Sequence, residues 1–241
     1  MTTSVPDLPV PVPVRRLAGD ATIVPVWLND VGGVTYRIDG PAPLYVKWQP
    51  PGCEIDLLRE VARLDWAGAL TTVPEPVEWG EDDTGTWLVT RGLPGTSAVS
   101  PEWLTEPEIA VRAVGLGLRA LHERLPISSC PWEWSVAGRI AEARDRGRHP
   151  DIGEPPTIDR LVVCHGDACC PNTLLAQDGT VLGHVDLGSL GVADRWADIA
   201  VAAASTRRNY GPGWEDALVT AYGLEPDRDR MDYYQRLWDE T

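Results

Sequence analysis

Residues 165–172 read His-Gly-Asp-Ala-Cys-Cys-Pro-Asn, and residues 186–188 read Asp-Leu-Gly. Two β-like runs lie between these segments and flank Asp178-Gly179, a dipeptide typical of hairpin turns. Three polar side chains of these segments can face one ligand. They are the carboxylate of Asp167 in a loop, the amide of Asn172 five residues later and the carboxylate of Asp186 beyond the hairpin. Their order and spacing match the pattern H-x-D-x-x-x-x-N followed by D-x-G.

This pattern predicts a site for phosphoryl transfer. That reaction needs an acceptor held in line with the phosphate, and cations that neutralise the phosphate oxygens. We therefore predict Asp167 as the catalytic base and Asn172 with Asp186 as ligands of Mg²⁺, with ATP as the phosphate donor. Each residue taken alone is more typical of a structural role, as a turn residue, a loop cap or a helix N-cap. Only the combination indicates catalysis.

The upstream part of the sequence contributes a lysine. Of the 21 Lys and Arg residues only Lys47 is a lysine, and a site that needs a compact ammonium must keep it. Lys47 lies in the strand-like run 44–48, where alternation places Tyr45 on the same face. We predict that Lys47 binds phosphates of ATP. Tyr45 either stacks on adenine or packs against neighbouring strands.

A glutamate is expected to hold this lysine, as in other kinase-like sites. Residues 54–70 are typical of an amphipathic helix, with apolar side chains spaced at i, i+4 and i+7. Glu60 lies at the border of the apolar stripe and is the favoured partner. Glu54 and Asp56 are rivals, although they precede the established part of the helix.

A composition break at residues 91–95 separates a strand-rich first part of the chain from a helical second part. Helices are predicted at 107–124, 135–147, 194–206, 213–222 and 227–238. Residues 161–187 interrupt this helical pattern with strands, and residues 1–20 look irregular. We therefore predict an α+β protein with a nucleotide-binding unit at 1–92 and a catalytic and substrate-binding unit at 93–241.

Composition restricts the partners. A net charge of −15 disfavours nucleic acid and anionic lipid and attracts cations. No apolar run approaches the ~20 residues that span a bilayer. The five cysteines and the lack of a signal peptide predict reduced thiols, and the absence of a paired C-x-x-C argues against zinc. We expect a cytoplasmic monomer or weak dimer that binds a cationic small molecule and neither nucleic acid nor membrane.

These motifs make the chain resemble the aminoglycoside phosphotransferases, especially the 3′-phosphotransferases that act on kanamycin and neomycin. The runs that carry the resemblance are 45–48, 163–173 and 186–200. The resemblance implies a bilobal protein-kinase-like fold, with a small antiparallel-sheet N-lobe that carries one helix and a larger, mainly helical C-lobe. It also implies ATP-dependent phosphorylation of a drug hydroxyl, with the residues named above in the roles already given.

The same resemblance implies where the adenine and the drug bind. The hinge near Arg91 and Leu93 would offer backbone hydrogen bonds to adenine. Asp239 and Glu240 would bind ammonium groups of the aminoglycoside, a role that suits the acidic surface of the chain.

Three features depart from the family pattern. Ser189 stands where many relatives have an arginine, residues 142–161 are short for a drug-binding loop, and the chain ends in threonine rather than an aromatic residue. The departures leave the chemistry intact and the choice of drug and hydroxyl open. Streptomycin, a peptide antibiotic or a metabolite is therefore an alternative substrate, and a catalytically silent kinase-like binding module is an alternative from another class.

Overall fold

The structure, a computed structural model, describes residues 10–29, 31–53 and 55–241. These residues divide into two compact units. The N-terminal unit takes the described residues up to Gly68 together with Pro74–Leu93, and the C-terminal unit takes Ala69–Val73 and Pro94–Thr241. Across the described ranges, no helix combines the length and the apolar character needed to cross a bilayer.

The N-terminal unit is an antiparallel sheet with two helices. Its elements are α1 (Val12–Ala18), β1 (Ile23–Leu28), β2 (Val34–Ile38), β3 (Leu44–Gln49), α2 (Leu57–Gly68), β4 (Pro76–Asp82) and β5 (Gly85–Arg91). The strand order β1-β2-β3-β5-β4 makes β3 central. Val46 of β3 is fully buried and pairs with the buried Tyr36 and Val89 on its two neighbours. Alternation then turns Lys47 to the opposite face of the sheet from this core contact.

The start of the chain differs from its prediction. Val12–Ala18 forms a helix where an irregular segment was expected over 1–20, and residues 1–9 lie outside the described ranges. Prolines suggested the irregular start, but Pro13 falls in the first helical turn, where a missing N–H costs little. Val14 and Ala18, one turn apart, are buried in the core cluster of the sheet. Burial of this face stabilises a helix that is too short to form on its own.

The C-terminal unit is mainly helical. Its elements are β6 (Thr96–Ser97), α3 (Pro101–Leu104), α4 (Pro107–Arg124), α5 (Val136–Asp145), β7 (Leu161–Cys164), β8 (Thr173–Leu175), β9 (Val181–His184), β10 (Gly191–Asp194), α6 (Trp196–Tyr210), α7 (Glu215–Tyr222) and α8 (Arg228–Glu240), with 3₁₀ turns at Ile127–Ser129 and Cys170–Asn172. Helix α4 packs against α7, and α6 packs against α8. Because every residue of 196–206 is buried, α6 is the central helix of the unit.

Two small antiparallel sheets flank the motif residues. As predicted, β8 pairs with β9 around Asp178-Gly179, and β6 extends this sheet. The helix expected from residue 194 begins at Trp196, because residues 191–194 pair with β7 as strand β10. Strand β7 therefore leads directly into the loop 165–172, and β9 leads into residues 186–188.

Candidate active site

Lys47 and Glu60 form an ion pair within the N-terminal unit. The Nζ atom of Lys47 lies 2.7 Å from both Oε1 and Oε2 of Glu60. Strand β3 carries the lysine and the first turn of α2 carries the glutamate. The side chain of Glu60 is 5% exposed and that of Lys47 is 24% exposed. The carboxylate is thus shielded while the ammonium still reaches solvent.

One of the two rival partners of Lys47, Asp56, is engaged with its own helix in this structure. The Oδ1 atom of Asp56 accepts a hydrogen bond from the N–H of Leu58 at 2.9 Å, as a helix-capping side chain does. Its Oδ2 atom lies 3.5 Å from Nε of Arg59. Glu54 lies outside the described residues. The pairing with Glu60 is present, and the binding of phosphates by Lys47 stays a prediction.

The other residues predicted to bind nucleotide lie near the end of β5. A Cβ added to Gly92 would lie 2.9 Å from the Tyr45 ring, so this ring packs on the chain after β5, which favours its packing role. Arg91 is exposed, and its Nε donates to Oε2 of Glu75 at 2.9 Å. The N–H of Leu93 has no hydrogen-bond partner among the described residues and can donate to a ligand. The adenine contacts stay a prediction.

In the C-terminal unit, the loop 165–172 folds Asn172 back onto Asp167. The Nδ2 atom of Asn172 donates to the carbonyl oxygen of Asp167 at 2.9 Å and to its Oδ2 at 3.2 Å. These bonds orient the amide so that Asn172 Oδ1, an oxygen of the kind that Mg²⁺ binds, is turned to other ligands. Within the described part of the chain, Asp167 Oδ1 is buried without a hydrogen-bond partner. A buried carboxylate oxygen left unused is costly, and it indicates a missing partner.

His165 supports the loop from inside the unit. Its Nε2 lies 2.9 Å from the carbonyl oxygen of Val185, and its Nδ1 accepts from the N–H of Asp167 at 3.3 Å. Because a carbonyl only accepts, Nε2 carries the proton, and one neutral tautomer satisfies both ring nitrogens. His184 stands edge-on to this ring at 5.9 Å, and burial together with the neighbouring His165 lowers the pKa of His184 to about 3. His184 therefore adds no positive charge beside the loop.

A buried carboxylate that sequence analysis did not single out holds the same loop. Asp198 accepts from the N–H of His165 through Oδ2 at 2.6 Å and from the N–H of Gly166 through Oδ1 at 2.9 Å. Its Oδ2 also lies 2.9 Å from Nε2 of His122. Burial alone would raise the pKa of Asp198, but the hydrogen bonds from His122 and the loop outweigh burial and lower it. An ionised Asp198 thus fixes the two residues that precede Asp167.

Asp186 follows β9 and lies next to this loop. The N–H of Val185 donates to the carbonyl oxygen of Asn172 at 3.0 Å, which places the two predicted metal ligands on adjacent backbone segments. Asp186 has a φ of 65°, in the left-handed region that aspartate tolerates better than most residues. A Cβ on Gly166 would collide with the carbonyl of Ser189, so the two loops touch backbone to backbone. The oxygen donors gathered here fit Mg²⁺.

The predicted drug-binding carboxylates lie at the end of α8. Asp239 is exposed to solvent. Glu240 Oε2 accepts from the N–H of Asp151 at 2.8 Å, so Glu240 ties the end of the helix to the segment before β7. Asp239 is therefore the more available of the two, and drug binding by either residue stays a prediction.

These features define the class of kinase-like phosphotransferases. They are a strand lysine paired with a helix glutamate, a loop that carries an aspartate and an asparagine, and a second aspartate after a hairpin. Sequence comparison then names the family. The chain belongs to the phosphotransferase enzyme family, whose model matches residues 30–234. The predicted resemblance is confirmed.

Relatives and solved structures agree with this assignment. The chain is 37% identical to an aminoglycoside 3'-phosphotransferase from Streptomyces fradiae, with 87% of this chain and 91% of that protein covered. It is similar to the crystal structure of an aminoglycoside-3'-phosphotransferase of type VIII, with a TM-score of 0.77, 29% identity and coverage of 94% and 97%. It is also similar to aminoglycoside phosphotransferase APH(3'')-Id from Streptomyces rimosus in complex with ADP and streptomycin, with a TM-score of 0.72, 27% identity and coverage of 93% and 94%. The predicted α+β, protein-kinase-like fold is confirmed.

Proposed function

We propose that this chain transfers the γ-phosphate of ATP to a hydroxyl of a cationic aminoglycoside, with the 3′-hydroxyl as the first expected acceptor. The relative from Streptomyces fradiae is named a 3'-phosphotransferase, and the similar Streptomyces rimosus enzyme binds ADP and streptomycin. The observation that carries the proposal is the carboxylate of Asp167, with one oxygen held by Asn172 and the other buried without a hydrogen-bond partner among the residues that the structure describes.

Asp167 acts as the general base in this proposal. Its Oδ1 accepts the proton of the drug hydroxyl while the hydroxyl oxygen bonds to the γ-phosphorus and the bond from phosphorus to the ADP oxygen breaks. Asn172 keeps the carboxylate in one orientation, and Asp198 keeps the preceding backbone in place. A positioned base of this kind contributes about 10²- to 10⁴-fold to the rate.

In this proposal, residues of the N-terminal unit bind the phosphates and the adenine of the nucleotide. Lys47, held by Glu60, binds the α- and β-phosphates, and the N–H of Leu93 donates to adenine. Asn172 Oδ1 and the carboxylate of Asp186 would hold Mg²⁺, which neutralises charge on the phosphate oxygens when bound.

The acidic chain suits a substrate that carries several ammonium groups. A net charge of −15 attracts polycations, and the exposed Asp239 is the first candidate to bind one of those groups. A phosphate added to the drug brings negative charge to a molecule whose affinity for RNA rests on positive charge. The reaction would therefore inactivate the antibiotic and confer resistance.

One experiment tests substrate and position together. The protein is incubated with Mg-ATP and kanamycin, neomycin or streptomycin in separate reactions, and the phosphate is located on the product by NMR. We expect a 3′-phosphate on kanamycin and neomycin. If only streptomycin is phosphorylated, the substrate is streptomycin rather than kanamycin or neomycin. The complex of the Streptomyces rimosus enzyme favours this alternative. ADP production equal to the drug-free control in all three reactions would contradict an aminoglycoside substrate.

A further inference from the structure

A pocket of about 100 Å³ in the C-terminal unit is lined by three arginines. Arg119 comes from α4, Arg160 precedes β7 and Arg195 precedes α6, and Tyr222 at the end of α7 lines the same pocket. This space exceeds the roughly 10–15 Å³ that one water molecule needs by several-fold. The pocket is therefore large enough for a small tetrahedral ion.

The guanidinium groups around this pocket keep unused hydrogen-bond donors. Arg119 Nε donates to Oε1 of Glu123 at 2.7 Å, and Arg195 Nε donates to Oδ2 of Asp159 at 2.6 Å. Neither guanidinium makes another hydrogen bond within the described ranges, so their Nη groups remain available. Arg160 has no ion pair with any described residue. The pocket thus brings together three guanidiniums, two of which are partnered by one carboxylate each, while the ionised Asp198 lies behind His122.

Tyr222 adds a neutral donor to the pocket wall. Burial raises its pKa to about 12, and the nearby charges of Arg195 and Arg160 act against that rise. The hydroxyl therefore keeps its proton at neutral pH. It lies 2.8 Å from Nδ1 of His122, whose other ring nitrogen contacts Asp198. The pocket is thus connected by hydrogen bonds to the loop that carries the predicted base.

We propose that this arginine pocket binds a free tetrahedral oxyanion, such as sulfate or inorganic phosphate, through Arg160 together with Arg119 and Arg195. The planar guanidinium fork matches the oxygens of such an ion, and charge-assisted hydrogen bonds are stronger than neutral ones. The acidic surface elsewhere repels anions, so the attraction is local to this pocket. The proposal is independent of the drug-phosphorylating reaction, because none of the three arginines is assigned a role in it.

Sulfate is the probe that tests the pocket, because it is neither a substrate nor a product of phosphoryl transfer. It is titrated at constant ionic strength against chloride, and binding is followed by NMR shifts of Tyr222 and the neighbouring backbone amides. The test variant is Arg160→Gln. The matched control is Arg144→Gln, which removes another exposed arginine that has no ion pair among the described residues.

We expect one saturable site in the parent and in Arg144→Gln, and at least about tenfold weaker binding in Arg160→Gln, as loss of one charge-assisted bond predicts. The arginine side chain at 160 donates no hydrogen bond to the described residues, so the variant should fold, and circular dichroism checks this. Equal sulfate affinity in all three proteins, or no saturable shift in the parent, would overturn the proposal.

Phenyl phosphate distinguishes a free ion from a phosphate ester. The ester also carries a tetrahedral head group, but one of its four oxygens is bonded to the ring, so it offers the arginines one terminal oxygen fewer than sulfate does. We expect it to bind more weakly than sulfate at the same residues. Tighter binding of phenyl phosphate would show that the ligand is an ester and would refute the assignment to a free oxyanion.

Discussion

Lys47 in the N-terminal unit and Asp167 in the C-terminal unit are held in place by different means. Lys47 stands on the central strand of a sheet, and its partner Glu60 stands on a helix, so regular backbone hydrogen bonds fix both. Asp167 stands in a loop whose preceding N–H groups are satisfied by the side chain of Asp198, which lies on α6. The position of the predicted base therefore depends on a remote residue. The position of the lysine depends on the sheet itself.

The largest effect on activity is expected from a substitution of Asp167, because this residue is the proposed catalytic base. Asp167→Ala should lower kcat by about 10²- to 10⁴-fold, since the hydroxyl proton then has no positioned acceptor. The affinity for ATP should stay nearly unchanged, because the phosphates are assigned to other residues. Steady-state kinetics with an aminoglycoside and a separate nucleotide-binding titration measure the two quantities. Turnover at the parental rate would refute the assignment of the base.

The next largest effect is expected at Asp198. Asp198→Asn keeps the shape of the side chain and removes the charge that accepts two backbone N–H groups and His122. Hydrogen bonds to charged groups contribute about 1.5–3 kcal/mol each, so we expect the free energy of unfolding to fall by about 2–3 kcal/mol. Turnover should fall as well, although residue 198 has no role in binding substrate.

Asp145→Asn is the matched control for this change, because Asp145 is an exposed residue on α5. Urea denaturation gives the free energies of unfolding, and steady-state kinetics gives kcat for both variants. If the two variants behave alike in both measurements, the loop that carries Asp167 does not rely on the buried carboxylate.

Acid should weaken the C-terminal unit through His184. Its pKa is about 3 in the folded protein against 6.5 for an unperturbed histidine, so between these values the unfolded chain binds a proton that the folded chain does not. The contribution to stability is complete above pH 6.5 and is lost progressively as the pH falls towards 3. The expected slope from this residue is at most about 1.4 kcal/mol per pH unit.

Urea denaturation between neutral and mildly acidic pH measures that slope. His184→Gln removes the titrating group and should flatten the dependence on pH. The exposed His149 offers the control, and His149→Gln should leave the slope as it is in the parent. An unchanged slope in His184→Gln would mean that the buried ring is not the source of the acid sensitivity.

Sequence reasoning located the motif residues better than it located their support. Asp167, Asn172 and Asp186 were predicted because their spacing is itself the signal. Asp198 was missed because its hydrogen-bond partners lie more than thirty residues upstream, and no local spacing links them. A signal was nevertheless present, since a carboxylate among the apolar residues of 196–204 must be buried with partners.

The same limit applies to the secondary structure. Strands β2 and β3 and helix α4 follow from local periodicity and were predicted. Strand β10 was missed because it exists through pairing with β7, a contact that residues 191–194 do not specify alone. Helix α1 was missed because its proline-rich sequence hid a short apolar face that only the sheet stabilises.

A smaller effect on activity is expected from a change in the ion pair between Lys47 and Glu60. Glu60→Gln removes the charge that braces Lys47, and we expect the KM for ATP to rise roughly tenfold, with a smaller change in kcat, because a charge-assisted bond becomes a neutral one. Asp56→Asn is the matched control and should change neither value, since asparagine also caps a helix. A larger rise in KM for Asp56→Asn than for Glu60→Gln would identify Asp56 as the functional partner.

The smallest effect is expected for Arg91→Ala. The side chains of Arg91 and Glu75 are 54% and 68% exposed, and surface ion pairs of this kind contribute about 0–1 kcal/mol. The proposed adenine contacts use the backbone of residues 91–93, which the substitution leaves in place, so the KM for ATP should change by less than about twofold. Gly92→Ala is the contrasting variant, because its Cβ would lie 2.9 Å from the Pro43 carbonyl and the Tyr45 ring and would displace that backbone. A greater increase in KM for Arg91→Ala than for Gly92→Ala would show that adenine is bound by the arginine side chain. Nucleotide binding would then depend on an exposed side chain. The comparison between Lys47, which the sheet holds in place, and Asp167, which a remote residue holds in place, would no longer describe how this protein positions its nucleotide.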